Sequence, residues 1–237
     1  DNWIFRRLML GLGNNITSKR NLSGFTWIPT DKAGIALWHQ NLTNVGVDRW
    51  DDQSGNERHA AQGTSANQAA VYKGGLHFDG VNDFYEYTEE INIDTEEAYT
   101  LALVYELDST SAKNTVFSKN ANSTFFEFFD ADTLRINYVG SNVQINDGNH
   151  AAGAVRSLIV TRSTSGVHKL YEGNDTVVDT VTQTGIAAWE NFGVRNDNDR
   201  WFDGKIYEVM VWDNVEFSGT DLDNLIQYTN NVQDSIL

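Results

Sequence analysis

From residue 24 onward, short apolar runs recur along the chain, separated by Gly, Asn, Asp and Ser. Several alternate with period two. In Tyr99-Thr-Leu-Ala-Leu-Val-Tyr105, the residues Tyr99, Leu101, Leu103 and Tyr105 fall on one face of an extended strand. Lys205-Ile-Tyr-Glu-Val-Met-Val-Trp212 is denser, as expected of a strand buried on both sides. The pattern predicts strands at Ile35–Trp38, Val47–Trp50, Leu76–Phe78, Phe84–Thr88, Tyr99–Leu107, Thr115–Ser118 and Phe125–Phe129. More follow at Thr133–Tyr138, Val155–Arg162, Val167–Glu172, Thr176–Val181, Asn191–Val194 and Gly204–Trp212. One segment differs. Ser218 is placed to cap a helix, acidic residues follow in its first turn, and Leu222, Leu225, Ile226 and Tyr228 form an apolar side. This predicts a helix over about 218–230. Many short strands with turn signals and few helices indicate a β-sandwich.

Residues 1–23 have another texture. Trp3, Ile4, Phe5, Arg6, Arg7 and Leu8 form an apolar, arginine-bearing segment in an otherwise acidic chain. The organisation expected is an N-terminal arm over 1–23, serving as a docking segment, and one sandwich over 24–237 that ends in the helix. Exposed apolar segments of this size find a partner surface, either on the same chain or on another subunit.

The formal charge is −16 over 237 residues. A field of that sign repels nucleic-acid phosphates and anionic membrane surfaces, so no nucleic-acid partner is expected. No apolar run approaches the length of a membrane span, so no membrane insertion is expected either. With no cysteine, disulfides, thiolate metal sites and a cysteine nucleophile are excluded.

Three motifs carry a resemblance. Gly75-Leu-His-Phe-Asp-Gly-Val-Asn-Asp-Phe-Tyr-Glu-Tyr87 reads as two short strands joined by a tight polar turn, a hairpin. Val47-Asp-Arg-Trp-Asp-Asp-Gln-Ser-Gly-Asn-Glu-Arg-His-Ala60 is similar to a "W-x-D-x-S-G-N-x-x-H-A" entry. Phe202-Asp-Gly-Lys-Ile-Tyr-Glu-Val-Met-Val-Trp-Asp213 is similar to an "F-x-G-x-I-x-E-V-x-V-[WY]" strand. In this order they resemble the laminin-G-like, concanavalin A-like group. The resemblance implies an all-β jelly-roll sandwich with a short N-terminal arm and a C-terminal helix. Such domains occur in tailed-phage structural proteins and bacterial surface proteins, which implies surface binding or assembly more readily than catalysis. The same fold also serves lectins and glycoside hydrolases, so function rests on the site.

Catalytic patterns fail. Retaining glycosidases need two carboxylates about 5–5.5 Å apart on one face. Glu90-Ile-Asn-Ile-Asp94-Thr-Glu96 has the wrong spacing and reads as a turn, while Glu127 and Asp130 sit on opposite strand faces. Both sets read as solvated strand ends. The five histidines are scattered, with no Gly-x-Ser-x-Gly elbow, and His59 is expected in a structural role. No cofactor is required; calcium is the possible exception. Asp79, Asn82 and Asp83 crowd one turn and supply oxygen ligands, or else hold the turn through backbone N–H groups. For carbohydrate, exposed aromatics beside polar loops are wanted. Trp201, Trp189 and Tyr138, with Asn196 and Asn198, are the candidates, whereas Trp38, Trp50 and Trp212 read as core. The expectation is a non-enzymatic structural or surface-displayed recognition module. It would belong to a virion, as capsid decoration or a tail- or fibre-associated protein, or to a cell surface. Its partners would be other structural subunits and cell-surface glycans. A calcium-assisted lectin is the alternative, and a glycoside hydrolase the remote one.

Overall fold

A computed structural model describes residues 25–111, 113–119, 124–146, 150–195 and 200–237. The docking residues Trp3, Ile4, Phe5, Arg6, Arg7 and Leu8 lie outside them. The alternating runs become strands β1 (Ile35–His39), β2 (Arg49–Trp50), β3 (Ala60–Ala61), β4 (Ala70–Tyr72), β5 (Gly75–Asp79), β6 (Tyr85–Ile93), β7 (Tyr99–Leu107) and β8 (Asn114–Lys119). They continue as β9 (Thr124–Phe128), β10 (Thr133–Tyr138), β11 (Ser141–Asn146), β12 (Arg156–Arg162), β13 (Val167–Tyr171), β14 (Val177–Thr182), β15 (Ala187–Phe192) and β16 (Asp203–Asp213), followed by helix α1 (Gly219–Ile236).

Two antiparallel sheets result, giving the all-β jelly-roll-like sandwich that the sequence implied. The first runs β14-β13-β12-β7-β16-β5-β4, with β1 also pairing on β16. The second runs β11-β10-β9-β8-β15-β6-β3-β2. Between them lies a core that includes Leu76, Phe78, Leu101, Leu103, Phe117, Phe126, Trp189 and Phe202. The outer face of the first sheet is closed by α1. Trp38, Ala102, Met210 and Trp212 meet Leu222, Leu225 and Ile226, while Val104 and Tyr207 meet Val232 and Ile236. The apolar stripe continues to Ile236, which carries the helix beyond the predicted end. Ser218 occupies the N-cap position, but its side chain makes no capping hydrogen bond.

The Gly75–Tyr87 segment is not a hairpin. Strand β5 pairs with β4 and β16 in one sheet, whereas β6 pairs with β3 and β15 in the other. The polar turn is therefore a corner that carries the chain across the sandwich, holding Phe78 and Tyr85 edge to face at 5.9 Å in the core. Glu90–Ile93, read as a turn, continues β6, with Ile91 and Ile93 buried opposite Trp189 and Ala187. Strands β3, β4 and β11 were not predicted. The first two are very short, and β11 has polar residues on its outer side.

Candidate functional site

The alternation of β9 builds the site. Phe126 and Phe128 enter the core, so Phe125 and Glu127 project from the outer face of the second sheet. Register places Arg135 of β10 on one side of Glu127 and Thr115 of β8 on the other. Glu127 is fully buried. Its Oε1 accepts from Arg135 Nη2, and Arg200 Nη1 reaches both carboxylate oxygens at 3.2 Å. Thr115 Oγ1 lies 3.4 Å from Oε2. A carboxylate taken out of water at this depth needs such charge-assisted partners to offset its desolvation.

Around this pair the cations and rings alternate. Arg195 lies 4.9 Å from the Phe125 ring centre. Arg135 sits between Phe125 at 4.9 Å and Phe129 at 4.4 Å. Lys113 caps Phe129 at 4.3 Å. The result is a ladder, Arg195–Phe125–Arg135–Phe129–Lys113, in which each cation faces the electron-rich face of a ring. Burial, then the like charges of Arg200, Arg135 and Arg195, lower the pKa of Lys113, with Glu127 opposing. The glutamate expected as a solvated strand end is instead the buried pivot of a cationic cluster.

One residue after Arg200, Trp201 is half-buried at the rim, 5.9 Å from Phe84 at an interplanar angle of 55°. It is the sequence-predicted aromatic that keeps partial exposure. Trp189 and Tyr138 do not. Trp189 faces inward from β15, stacked on Phe117 at 5.1 Å. A register shift between Trp189 and Asn191 lets Phe192 face the core as well, so simple alternation misplaces this strand. Tyr138 is buried, its hydroxyl 3.0 Å from the Tyr99 hydroxyl and 2.5 Å from His168 Nε2. Neither ring is available as a platform. Asn196 and Asn198 lie outside the described residues.

The calcium candidates serve the corner. Asp79 Oδ1 accepts from the Val81 and Asn82 N–H groups at 2.9 and 3.2 Å, and Asp83 Oδ2 accepts from the Asp79 N–H at 2.9 Å. The Asn82 side-chain amide donates to the Ala66 carbonyl. Among the described residues no group of three or more His, Asp or Glu side chains is placed to hold a metal ion.

Sequence reasoning missed Lys113, Phe125, Phe129, Arg135, Arg195 and Arg200. A signal was there: Phe125-Phe-Glu-Phe-Phe129 puts rings on both faces of a strand, more than a one-sided core requires.

No family model matches the chain, and no curated protein matches its sequence. Solved structures do match the fold. A Trypanosoma rangeli sialidase in complex with 2,3-difluoro-KDN aligns at TM-score 0.57 and 12% identity, covering 85% of this chain and 33% of that one. A botulinum neurotoxin type C structure, concerned with cell entry through two ganglioside molecules, aligns at TM-score 0.56 and 15% identity over 84% and 52%. The ligand-binding domain of botulinum neurotoxin serotype D in complex with N-acetylneuraminic acid aligns at TM-score 0.58 and 12% identity over 82% and 51%. The chain thus spans from a third to about half of these proteins, and at such identities the likeness is one of fold.

Proposed function

We propose that this chain is a non-enzymatic carbohydrate-recognition module whose ligand binds on the outer face of the second sheet. The observation that carries the reading is a built polar surface there: a buried glutamate, a ladder of cations and rings, and a half-exposed tryptophan one residue from Arg200. Sugars are held by polar groups at their hydroxyls and by rings against their C–H faces; the ladder supplies polar groups, and Trp201 is the partly exposed ring, since cations stand over Phe125 and Phe129. Structural neighbours named for ganglioside and N-acetylneuraminic acid binding add support from the same fold.

The non-enzymatic part rests on Glu90 and Glu127, the two glutamates that the sequence offered for catalysis. A glycosidase acid must keep its proton near neutral pH. Hydrogen bonds from Lys119, then Asn92, hold Glu90 below its ordinary range, with burial opposing. Glu127 is engaged by two arginines.

A glycan array probed with the full chain, with and without chelator, tests the reading. Binding that survives chelation and weakens in Trp201→Ala is expected. Binding lost on chelation would favour the calcium-assisted lectin and return attention to the Asp79–Asp83 turn. The second reading, a virion or surface assembly subunit docked through residues 1–23, draws on the apolar arm alone.

A further inference from the structure

Helix α1 buries its apolar stripe on the first sheet and keeps a polar one beside the β13–β14 turn. Asp223, Gln227 and Asn230, at i, i+4 and i+7, share that side. Two depressions open where the stripe meets the sheet. The smaller, about 190 Å³, is lined by Arg156 and Ser157 at the start of β12, Glu172 and Gly173 just after β13, and Gln233 of α1. The larger, about 320 Å³, lies between Asn174 and Asp175 of the turn and the polar stripe, with Asn231. They adjoin across Asn230, whose side chain donates to the Gly173 carbonyl at 2.8 Å and accepts from Ser157 Oγ at 3.1 Å.

Polar atoms without partners gather here. Arg156 Nε and Glu172 Oε1 are buried at the smaller depression, and neither has a hydrogen-bond partner among the described residues. The same holds for Asn231 Nδ2 at the larger one. Arg156 and Glu172 carry opposite charges at neighbouring strand ends, yet their two buried atoms do not bond to one another. Burial raises the Glu172 pKa, with the Arg156 charge opposing, so the carboxylate is only partly compensated. A donor and an acceptor held apart in this way complement a group that is both.

We propose that the two depressions form a second binding site, which takes a neutral saccharide on the α1 side of the first sheet. A hydroxyl accepts from Arg156 Nε–H and donates to Glu172 Oε1, and neighbouring hydroxyls of one ring serve both at once. Gln233 Nε2 donates to the Val155 carbonyl at 2.9 Å, which leaves its Oε1 as a further acceptor. Asn231 Nδ2 offers a donor to the next ring along. An anion would satisfy Arg156 alone and face Glu172, Asp175 and Asp223; an ammonium would satisfy Glu172 and leave the Arg156 N–H without an acceptor. A small zwitterion fills only the smaller depression. That depression is itself several times the roughly 30 Å³ that one water takes in the liquid, so it accommodates a sugar ring rather than one bridging water. The site is separate from the cationic ladder, which lies on the outer face of the other sheet, and does not depend on it.

NMR and calorimetry on the full chain test this. The neutral probes are lactose, maltotriose, mannotriose and triacetylchitotriose; 3′-sialyllactose is the anion, deacetylated chitotriose the cation and glycine the zwitterion. The Arg156 Nε–H resonance should shift most with a neutral probe, a readout that needs no variant. The double variant Arg156→Gln/Glu172→Gln should weaken that probe at least about tenfold, the worth of one hydrogen bond to a charged group. It should leave the melting temperature of the free chain unchanged, because neither buried atom is bonded within the fold. Trp201→Ala should leave the Arg156 shift intact. An Arg156 signal that no neutral probe moves would mark a water-filled cavity only and overturn the site. So would a stronger response to sialyllactose, deacetylated chitotriose or glycine, or a double variant that binds as the native chain does. None of these results bears on the second sheet, whose reading stands or falls on the loss of array binding in Trp201→Ala.

Discussion

Asp52 shows how one side chain converts a motif into architecture. Its Oδ1 accepts from the Trp38 and Ser54 N–H groups at 2.9 and 2.8 Å, and its Oδ2 from Ser54 Oγ and the Arg58 N–H at 2.7 and 3.1 Å. The Asp52 N–H in turn donates to His59 Nδ1 at 3.1 Å, and Asn56 ties the loop to the carbonyls of Ile35 and Ala36. The Trp50–His59 stretch is thus a hydrogen-bonded plug on the end of β1, and His59 has the structural role expected of it. Asp52→Ala strands several donors around one buried site and should lower stability by about 2–4 kcal/mol in urea unfolding, since unmade buried hydrogen bonds cost more than made ones return. His168 makes a second residue-level prediction. Burial, then the Arg162 charge, lowers its pKa to about 4 from 6.5, with hydrogen bonds to Gly166 and Val181 opposing. The unfolded chain therefore takes up this proton as pH falls below 6.5 while the folded chain does not, and stability is lost from that point down to about 4. The gap in unfolding free energy between the native chain and His168→Gln should narrow by about 2 kcal/mol between pH 7 and pH 5. A gap that stays constant would mean that His168 titrates normally.

At the scale of elements, period-two patterning tells which face of a strand is buried and is silent about which strand lies beside it. That is why Tyr99–Leu107 and Thr133–Tyr138 were legible to the residue, while the Gly75–Tyr87 segment was read as a hairpin and proved to be a corner between sheets. A turn rich in Asp, Asn and Gly serves either connection, and the choice is made by tertiary packing. Gly193 is one place where that packing shows. Its φ is +87°, and a β-carbon there would lie 2.4 Å from the Phe78 ring. Irregularities hid the rest. Shifts of register between Thr115 and Phe117 and between Trp189 and Asn191 reset which residues face out. The ladder was illegible for another reason: its rings resemble core residues, and Arg195 and Arg200 reach it from a distant connection. Helix α1 was legible because Leu222, Leu225 and Ile226 repeat with helical spacing, and its burial against Trp212 and Met210 makes it part of the fold rather than an appendage. Leu225→Ala, at a fully buried position, should cost about 2–5 kcal/mol and bring forward the thermal transition of the entire sandwich. A separate early transition confined to helical signal would instead mark α1 as an independent unit.

For the molecule as a whole, distribution of charge matters more than its sum. Of 17 Lys and Arg, Arg6, Arg7, Lys19 and Arg20 lie in the first 23 residues, and Lys113, Arg135, Arg195 and Arg200 gather at the ladder. The rest of the sequence is strongly acidic, so positive charge is concentrated in a ladder proposed for a ligand and in an N-terminal stretch of sequence proposed for a partner. The two roles are assigned to different stretches of sequence: the Glu127 cluster draws on residues 113–200, and the docking segment lies within 1–23. Deleting residues 1–23 should accordingly leave a folded chain that still binds its saccharide, and should abolish incorporation into any larger particle from which the full chain purifies. Apolar docking of that kind is lost with its anchor, whereas glycan affinity depends on side chains far along the sequence. Co-purification and calorimetry on the same deletion read the two roles independently. Undiminished incorporation would sink the docking role of the arm, and loss of saccharide binding with the fold intact would place the arm in the recognition surface itself.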